Sequence, residues 1–520
     1  MGDGLTGRET LAIDAGTQGV SLILWCPKRR AVLGVGERPY ARDYLPGLPE
    51  GRLEQSAEDW TDAIRLAMAD LREDVRAGHG VEVERVAGIG VTGHMHCMVR
   101  IDANGGKPFG CDMWNDPRGV AESAELTDAL GEHVPARWTG CHILARMRSD
   151  PAEWGEAAHV TVTSGSIVHD LTGEHVIGPG DATGMFGSLG EDGQIDRDKL
   201  ATIDRLGGNV GRPLGEMVPR VVAAGEVAAT LSEAGGALLG GLPAGTPVAA
   251  PEGDQQSVLV VAAVDELELA LSAGTSFSGN LPTRAHVKAK DEAVNVLATP
   301  DGLTMLMVCA RNGTVGFAEY VKGLAALSGK GFAEVADALT DGAVGAGPEA
   351  GGATLWGFFQ GENVTEMPDA RATMEGAGIE LLSNPGLMAR LLLESPCLTM
   401  RYGLEQLKAD VGSIKRVALT GGMLKSKGGF AGQMVADVLG VPVDARAGDE
   451  EGTAKGAAIL AAYMALRQAG DTSTSLADFA KTQVAEATQH WTPDPAAARV
   501  YDERYARFAR GVAAMQEAGG

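Results

Sequence analysis

The sequence lacks a long apolar run, a cysteine framework and an excess of positive charge. No run approaches the roughly 20 apolar residues that a membrane-spanning helix needs, and the first residues lack the basic start and apolar core of a signal peptide. Six cysteines without a CxxC pair favour a reducing cytosol over a disulfide scaffold. A net charge of -25 disfavours nucleic acid and anionic membranes as partners. We therefore expect a cytoplasmic globular protein with neither kind of partner.

The remaining composition is ordinary for a soluble chain, with 44% hydrophobic and 22% charged residues. A length of 520 residues allows a large core and predicts two large domains or more than two ordinary ones. Two apolar runs are the longest. "VLVVAAV" at 258–264 predicts a buried strand, and "AAILAAYMAL" at 457–466 predicts a buried helix.

One short pattern occurs in both halves of the chain. "LAIDAGTQG" at 11–19 and "LALSAGTSFSGN" at 269–280 each join an apolar strand, one small polar residue and Ala-Gly-Thr. Alternating apolar positions around such a turn predict a β-hairpin. Because the two copies lie about half the chain length apart, they favour two similar α/β domains. With 73 glycines in the chain, coincidence is the alternative.

Asp14 lies at the end of the first apolar strand, where a carboxylate is costly unless a charged group meets it. The N–H groups and hydroxyl of a tight Gly-Thr turn suit phosphate oxygens. A Mg²⁺ ion held against those phosphates would then compensate Asp14. The alternative is a simple hairpin turn.

Two further loops carry groups suited to chemistry. In "LTGGMLKSKGGF" at 419–430, Gly421 and Gly422 allow close approach of a base or phosphate, although a plain strand-to-helix turn is the alternative. "APEGDQQS" at 250–257 is predicted to be a polar loop near the middle of the chain. A carboxylate there can accept a proton from a substrate hydroxyl, and an ordinary polar loop is the alternative.

Two stretches in the first half carry groups that bind metals or sugars. "VTGHMHCMV" at 91–99 holds two histidines and a cysteine, but zinc is disfavoured because no companion CxxC or HxxxH follows. "DMWNDPRG" at 112–119 offers an indole, an amide and an Asp–Arg pair that can stack on and hydrogen-bond to a sugar. The alternative is a buried Trp beside a surface ion pair.

In this order, the stretches resemble the FGGY carbohydrate kinases of the actin-like ATPase superfamily. "DAGTQG" and "SAGTSFSG" resemble the family's two phosphate motifs, and "GRLEQSAEDW" is similar to its Glu-Gln…Trp segment. "GIGVTGHMHCMV" and "MWNDPRG" resemble its sugar-facing loops, and "GLPAGTPVAAPEGDQQ" the segment with its catalytic aspartate. "TGGMLKSKGGFAGQMVADVLGVPV" and "EEGTAKGAAILAAY" resemble its adenosine-binding segment.

The resemblance implies an α/β fold of two actin-like (ribonuclease H-like) domains with an ATP and sugar cleft between them. The first domain would be residues 1–253, on the sugar side, and the second 254–520, on the nucleotide side. ATP and Mg²⁺ would be required, and a homodimer is a further expectation taken from the family.

The resemblance also implies roles for residues. Asp254 would be the base that takes a proton from the acceptor hydroxyl, and Asp14 would hold Mg²⁺ through water. The other substrate-binding residues would be Met95, His96, Trp114, Asn115, Asp116, Glu252 and Gln255. The nucleotide-binding residues would be Asp14, Gly16, Thr17, Gln18, Gly274, Thr275, Gly313, Gly421, Gly422 and Ser426.

The expected acceptor follows from the loop after the strand predicted in "VERVAGIGVTG". Glycerol kinases carry an Arg-Glu pair where this chain has Met95 and His96, a pair that resembles xylulokinases. D-xylulose or a related pentulose is therefore the expected acceptor. Glu252 and Cys97 depart from the family pattern, which keeps ribulose, sedoheptulose, erythritol and glycerol as alternatives. A hypothesis of a different class is an actin-like ATPase acting as a regulator without kinase activity.

Overall fold

The computed structural model describes residues 5–425, 429–446 and 452–518. Packing divides the chain into two units. The first takes the chain up to Ala263 with Val296–Thr304 and Glu451–Ala485, and the second takes Val264–Asn295, Met305–Glu450 and Glu486 onward. The chain alternates between the units, so the single domain boundary between residues 253 and 254 stays a prediction.

The strands and helices are as follows, in chain order. The strands are β1 (Thr10–Ala15), β2 (Gly19–Cys26), β3 (Ala31–Pro39), β4 (Glu54–Gln55), β5 (Gly88–Gly93), β6 (Val99–Asp102), β7 (Cys111–Asp112), β8 (Ala157–Thr161), β9 (Val176–Ile177), β10 (Arg220–Val221), β11 (Val227–Thr230), β12 (Pro247–Ala249), β13 (Glu252–Gly253), β14 (Glu268–Ala273), β15 (Phe277–Thr283), β16 (Asn295–Ala298), β17 (Thr304–Ala310), β18 (Thr354–Trp356), β19 (Thr373–Glu375), β20 (Arg416–Thr420), β21 (Val443–Ala445) and β22 (Gln489–Trp491). The helices are α1 (Ala57–His79), α2 (Val120–Leu130), α3 (Thr139–Ser149), α4 (Pro151–Glu156), α5 (Thr163–Thr172), α6 (Pro179–Phe186), α7 (Arg197–Leu206), α8 (Leu214–Met217), α9 (Glu233–Leu238), α10 (Asp254–Ala262), α11 (Val315–Ser328), α12 (Phe332–Gly345), α13 (Pro385–Val411), α14 (Phe430–Leu439), α15 (Gly452–Gln468), α16 (Leu476–Gln483) and α17 (Pro495–Glu517).

The first unit is built on a mixed sheet in the order β11-β12-β5-β1-β2-β3, with β13 also paired to β5. The predicted hairpin is confirmed, because β1 pairs antiparallel with β2, while β5 runs parallel to β1 on its other side. The apolar side chains of β1 are fully buried, in keeping with a central strand covered on both faces.

The second unit repeats this local topology. Its sheet runs through β17-β15-β14-β20-β21-β22. Here β14 pairs antiparallel with β15 across the second Ala-Gly-Thr turn, and β20 lies parallel to β14. The predicted similarity of the two halves therefore extends from the tripeptide to the pairing of three strands.

One of the two apolar runs forms a helix where a strand was predicted. "VLVVAAV" was expected to be a strand, but its first five residues belong to helix α10. This helix packs with α15, the confirmed helix of "AAILAAYMAL", in a cluster that includes Val260, Val261, Ile459 and Tyr463. A helix buried on nearly all sides has no polar face, so its sequence shows no helical period.

Two absences concern the described residues alone. In them, no helix is both long enough and apolar enough to cross a membrane. The six cysteines all lie within the described ranges, and none of them is in a disulfide bond.

Candidate active site

The carboxyl ends of three neighbouring strands place acidic side chains at one edge of the first unit's sheet. Across the parallel pairs, Asp14 of β1 lies beside Thr92 of β5, which in turn lies beside Glu252 of β13. Asp254 follows β13 directly and is the first residue of α10. The prediction of a polar loop at 250–257 is therefore wrong for 252–257, because Glu252 and Gly253 form β13 and a helix begins at Asp254.

The carboxylate of Asp254 is in an environment that suits a proton acceptor. Burial, and then the negative charge of Asp14, raise the pKa of Asp254 to about 7. Hydrogen bonds from the backbone and side chain of Gln255 partly oppose this rise. A carboxyl group with a pKa near neutrality can both take up and release a proton at working pH.

Asp14 is a second buried carboxylate whose negative charge is only partly compensated. Burial raises its pKa to about 6, and the hydroxyl of Thr453, in the first turn of α15, donates a hydrogen bond to it. One hydroxyl and a helix N-terminus do not fully balance a desolvated carboxylate. A hard oxygen donor in this state fits Mg²⁺, which usually keeps its waters and takes one or two protein carboxylates. Within the described ranges, no group of three or more His, Cys, Asp or Glu side chains forms a metal site of its own.

The turn at 16–19 has its carbonyl groups occupied by protein donors. The Tyr40 hydroxyl donates to the Gly16 carbonyl at 2.9 Å, and the Gln55 amide donates to the Thr17 carbonyl at 2.8 Å. The backbone N–H of Tyr40 donates to the carbonyl of Gln18 at 3.1 Å. The Gly16 N–H is used as well, because it donates to the Gly19 carbonyl at 3.0 Å. The donors that the turn can offer to a further group are therefore the N–H groups of Thr17 and Gln18 and the Thr17 hydroxyl.

A buried chain of polar side chains supports this turn, and sequence reasoning did not assign it a role. The Trp60 indole N–H donates to Oε1 of the Gln55 side chain at 2.9 Å, which orients the side-chain amide nitrogen of Gln55 toward the Thr17 carbonyl. Trp60 also meets the ring of His94 edge-on, with centroids 5.5 Å apart. The signal was present in "LEQSAEDW", where Gln55 and Trp60 are the two residues that form this chain.

The loop at 112–119 presents two of its three predicted sugar-binding residues to solvent. Trp114 is 39% exposed, and its indole N–H lies 3.3 Å from the Thr17 hydroxyl. The Asn115 amide donates to the Tyr44 hydroxyl at 3.3 Å. The side chains of Trp114 and Thr17 are therefore neighbours, and their roles toward a sugar and a phosphate stay predictions.

Asp116, the third residue, is buried in an ion network instead. Its carboxylate accepts hydrogen bonds from the Leu53 N–H at 2.6 Å and from the guanidinium of Arg118 at 2.7 Å. Although burial opposes it, the hydrogen bonds from Arg118 and Leu53 lower the pKa of Asp116 to about 2. Arg118 also pairs with Glu54 and Asp112. In this structure Asp116 holds the loop in shape, and its role toward a sugar stays a prediction.

Met95 and His96 lie in the loop after β5, both largely buried. His96 has a positive φ of 68°, and its Nδ1 lies 2.8 Å from the Gly184 carbonyl, so Nδ1 carries the hydrogen. Burial, and then the charge of Arg137, lower the pKa of His96 to about 3, so the ring is neutral. Nε2 of His96 is then a hydrogen-bond acceptor, suited to a hydroxyl donor.

Helix α6 completes this edge and was not identified from the sequence. All its residues are buried, and its carboxylate Asp181 lies beside the peptide of Gly253. Glu252 is fully buried and accepts hydrogen bonds from the N–H groups of Gly180 and Asp181, at 3.4 and 3.3 Å. Glu252 thus faces the start of α6, and its predicted contact with a sugar stays a prediction. The available signal was "GPGDATG", an acid among small residues.

The second unit brings its predicted nucleotide-binding glycines together. The Gly313 N–H donates to the Thr275 carbonyl at 2.9 Å, and a β-carbon at Gly313 would lie 2.5 Å from the Gly274 carbonyl oxygen. Gly421, with φ of 99°, approaches Ala273 just before the same turn. Gly422 follows it and is exposed. Ser426 lies outside the described residues.

Comparison with known proteins gives the family and supports the fold. Models of the FGGY family of carbohydrate kinases match residues 10–261 with the N-terminal domain and 269–465 with the C-terminal domain. The chain is 24% identical over 465 residues to a xylulose kinase of Haemophilus influenzae, covering 87% of this chain and 90% of the relative. It is 26% identical over 480 residues to a glycerol kinase of Alkalilimnicola ehrlichii, covering 88% and 90%. The solved xylulose kinase of Rhodospirillum rubrum superposes with a TM-score of 0.82 at 24% identity, covering 98% and 99%.

Proposed function

The chain belongs to the FGGY family of carbohydrate kinases and is an ATP-dependent sugar kinase, and from this premise we propose that it phosphorylates a ketopentose such as D-xylulose. The observation that carries the proposal is the pair Met95 and His96 beside α6. A neutral imidazole acceptor and a thioether suit an uncharged sugar with a hydroxyl to donate.

We propose that Asp254 accepts the proton of the attacking hydroxyl. Its near-neutral pKa supports this role, because an ionised fraction is present at working pH while the conjugate acid is still weak enough to hold a proton. A sugar hydroxyl is a poor acid, so the proton leaves late, as the bond to phosphorus forms. The bond that breaks is the one between the γ-phosphorus and the bridging oxygen of ADP.

Positioning of the phosphates is assigned to the Ala-Gly-Thr turns. In the first unit, the N–H groups of Thr17 and Gln18 and the Thr17 hydroxyl are the donors offered to phosphate oxygens, since the Gly16 N–H already donates to the Gly19 carbonyl. In the second unit, Gly274 and Thr275 form the equivalent turn, packed closely against Gly313. Asp14 would hold Mg²⁺ through water, and the ion when bound neutralises phosphate charge.

A glycerol kinase is the second candidate, since one relative of nearly full coverage carries that name. A direct test measures ADP release from Mg-ATP by purified protein. The acceptors are D-xylulose, L-xylulose, D-ribulose, L-ribulose, sedoheptulose, erythritol and glycerol, with a no-sugar control. The proposal requires the highest kcat/KM for a pentulose. Highest kcat/KM for glycerol would transfer the assignment to the second candidate, and sugar-independent release alone would favour a regulator without kinase activity.

A further inference from the structure

A buried carboxyl group, Asp181, stands behind the proposed base and has no part in the scheme above. It is 2% exposed, in the first turn of α6. The hydroxyl of Ser164, in α5, donates to its Oδ2. Its Oδ1 faces the backbone just before Asp254, because a β-carbon at Gly253 would lie 2.8 Å from that atom. One oxygen of Asp181 is therefore occupied, and the other points to the start of α10.

A second oxygen occupies the same place and lacks a donor. Oε1 of Gln256 would also lie 2.8 Å from a β-carbon at Gly253, so it and Oδ1 of Asp181 border the same small space. Gln256 is fully buried, and its Oε1 has no hydrogen-bond partner among the residues that the structure describes. The amide orientation is fixed by its nitrogen, which donates to the Ala298 carbonyl at 3.1 Å. Two buried acceptor oxygens that border one space are unfavourable unless one of them carries a hydrogen.

The geometry points to Asp181 as a positioning residue that stays protonated and donates its hydrogen to Oε1 of Gln256, fixing the first turn of α10. This turn begins with Asp254, two residues before Gln256. The inference rests on the proposed role of Asp254 and deepens it. A β-carbon at Gly253 would lie 2.4 Å from Cγ of Met95 and 2.8 Å from each of the two oxygens, so glycine leaves room for this arrangement.

The surrounding charges favour the protonated form. The ionisable groups that face Asp181 are Asp254 on α10 and Glu252 on β13, and both are acidic. Burial, and then the negative charge of Asp254, raise the pKa of Asp181 to about 8, against the hydrogen bond from Ser164. Burial, followed by Asp181, raises the pKa of Glu252 well above its usual range. His96, which contacts α6 through Gly184, is neutral.

The consequence is an alkaline limit on turnover. As the pH rises past about 8, Asp181 loses the hydrogen that Gln256 accepts, and a second negative charge appears beside Asp254. Both changes disturb the first turn of α10. The activity should therefore decrease at alkaline pH as Asp181 loses its proton. The decrease at acid pH is a separate effect, which comes from protonation of Asp254.

The test compares kcat of the wild type, Asp181→Asn, Asp181→Ala and Ser164→Ala between pH 6 and pH 10 on the best acceptor. Asn keeps an N–H donor for Gln256 and does not titrate. We expect Asp181→Asn to keep kcat within about threefold at pH 7 and to lose the alkaline fall, which in the wild type amounts to about fivefold or more. Asp181→Ala should lower kcat at least about thirtyfold with KM nearly unchanged. Ser164→Ala removes a bond that favours the ionised form, so its alkaline limb should move to higher pH.

An alkaline fall that persists unchanged in Asp181→Asn would overturn the inference. So would wild-type kcat in a folded Asp181→Ala protein, with folding checked by circular dichroism. Infrared spectroscopy gives a readout without activity. Glu252 also contributes to the carbonyl band of buried protonated carboxyls at pH 7, so Asp181→Asn should weaken this band by the share of one carboxyl rather than abolish it. If no sugar is phosphorylated, the proposed function fails, and the infrared band still decides the state of Asp181.

Discussion

Replacing Asp254 by asparagine removes a charge while keeping the size of the side chain, and this change separates chemistry from folding. General-base catalysis is typically worth about 10²- to 10⁴-fold, so we expect kcat to fall by that factor, or about 3–5 kcal/mol of transition-state stabilisation. KM for the sugar should change little. The wild type should lose kcat/KM about tenfold per pH unit below about 7, where Asp254 becomes protonated.

Stability should change in the opposite direction. The folded-state pKa of Asp254, about 7, lies above its ordinary value of 3.8. As the pH rises from about 4, the unfolded chain therefore releases this proton first, and the folded state loses stability until about pH 7. The raised pKa corresponds to at most about 4 kcal/mol at neutral pH. Asp254→Asn does not titrate, so its free energy of unfolding should exceed the wild type's at pH 8 and approach it near pH 4.

The assay pairs steady-state ADP release with urea denaturation at pH 4, 6 and 8. The reasoning would be refuted by an Asp254→Asn protein that turns over at a near wild-type rate. It would equally be refuted by a variant that is less stable than the wild type at pH 8 by more than at pH 4, because that result requires a compensated carboxylate.

Other substitutions should give distinct signatures. Asp116→Asn is a matched control for charge removal, because this buried carboxylate is paired with Arg118. We expect the free energy of unfolding, measured by urea denaturation at pH 7, to fall by about 3–5 kcal/mol. An unchanged free energy of unfolding would contradict the ion network. His96→Ala should raise KM for D-xylulose about tenfold. In the wild type the pKa of His96 is lowered to about 3, so KM should show no titration of this histidine between pH 5 and 8. Gly313→Ala pushes a β-carbon against the Gly274 carbonyl, so we expect a raised KM for ATP and about 1–3 kcal/mol lower stability, with an unchanged KM for the sugar as the check on specificity.

Local pattern was sufficient for much of the fold. The hairpin around Asp14, its counterpart at 269–280 and the helix of "AAILAAYMAL" could be predicted, since each depends on alternation, a turn or a long apolar run. The secondary structure of "VLVVAAV" could not be predicted, because burial on nearly all sides removes the polar positions that distinguish a helix from a strand.

The supporting residues of the site were less accessible to sequence reasoning. Asp14 and Asp254 stand out as carboxylates at the ends of apolar segments. The supporting roles of Tyr40, Gln256 and Asp181 depend on contacts with residues that are distant in the chain. Such contacts are set by the packing of the fold and leave no local pattern in the sequence. Resemblance to a family identifies motifs, whereas the hydrogen bonds of the residues that support these motifs can be read only from the three-dimensional structure.

Phosphorus NMR of the reaction of Mg-ATP with D-xylulose tests the central claim most directly, because it observes the product itself. With the wild type, we expect the γ-phosphate signal of ATP to be replaced by that of a sugar phosphomonoester together with ADP, and with Asp254→Asn we expect almost no product over the same time. Appearance of inorganic phosphate in place of the phosphomonoester, or equal product from both proteins, would contradict the assignment of a ketose kinase that uses Asp254 as its base.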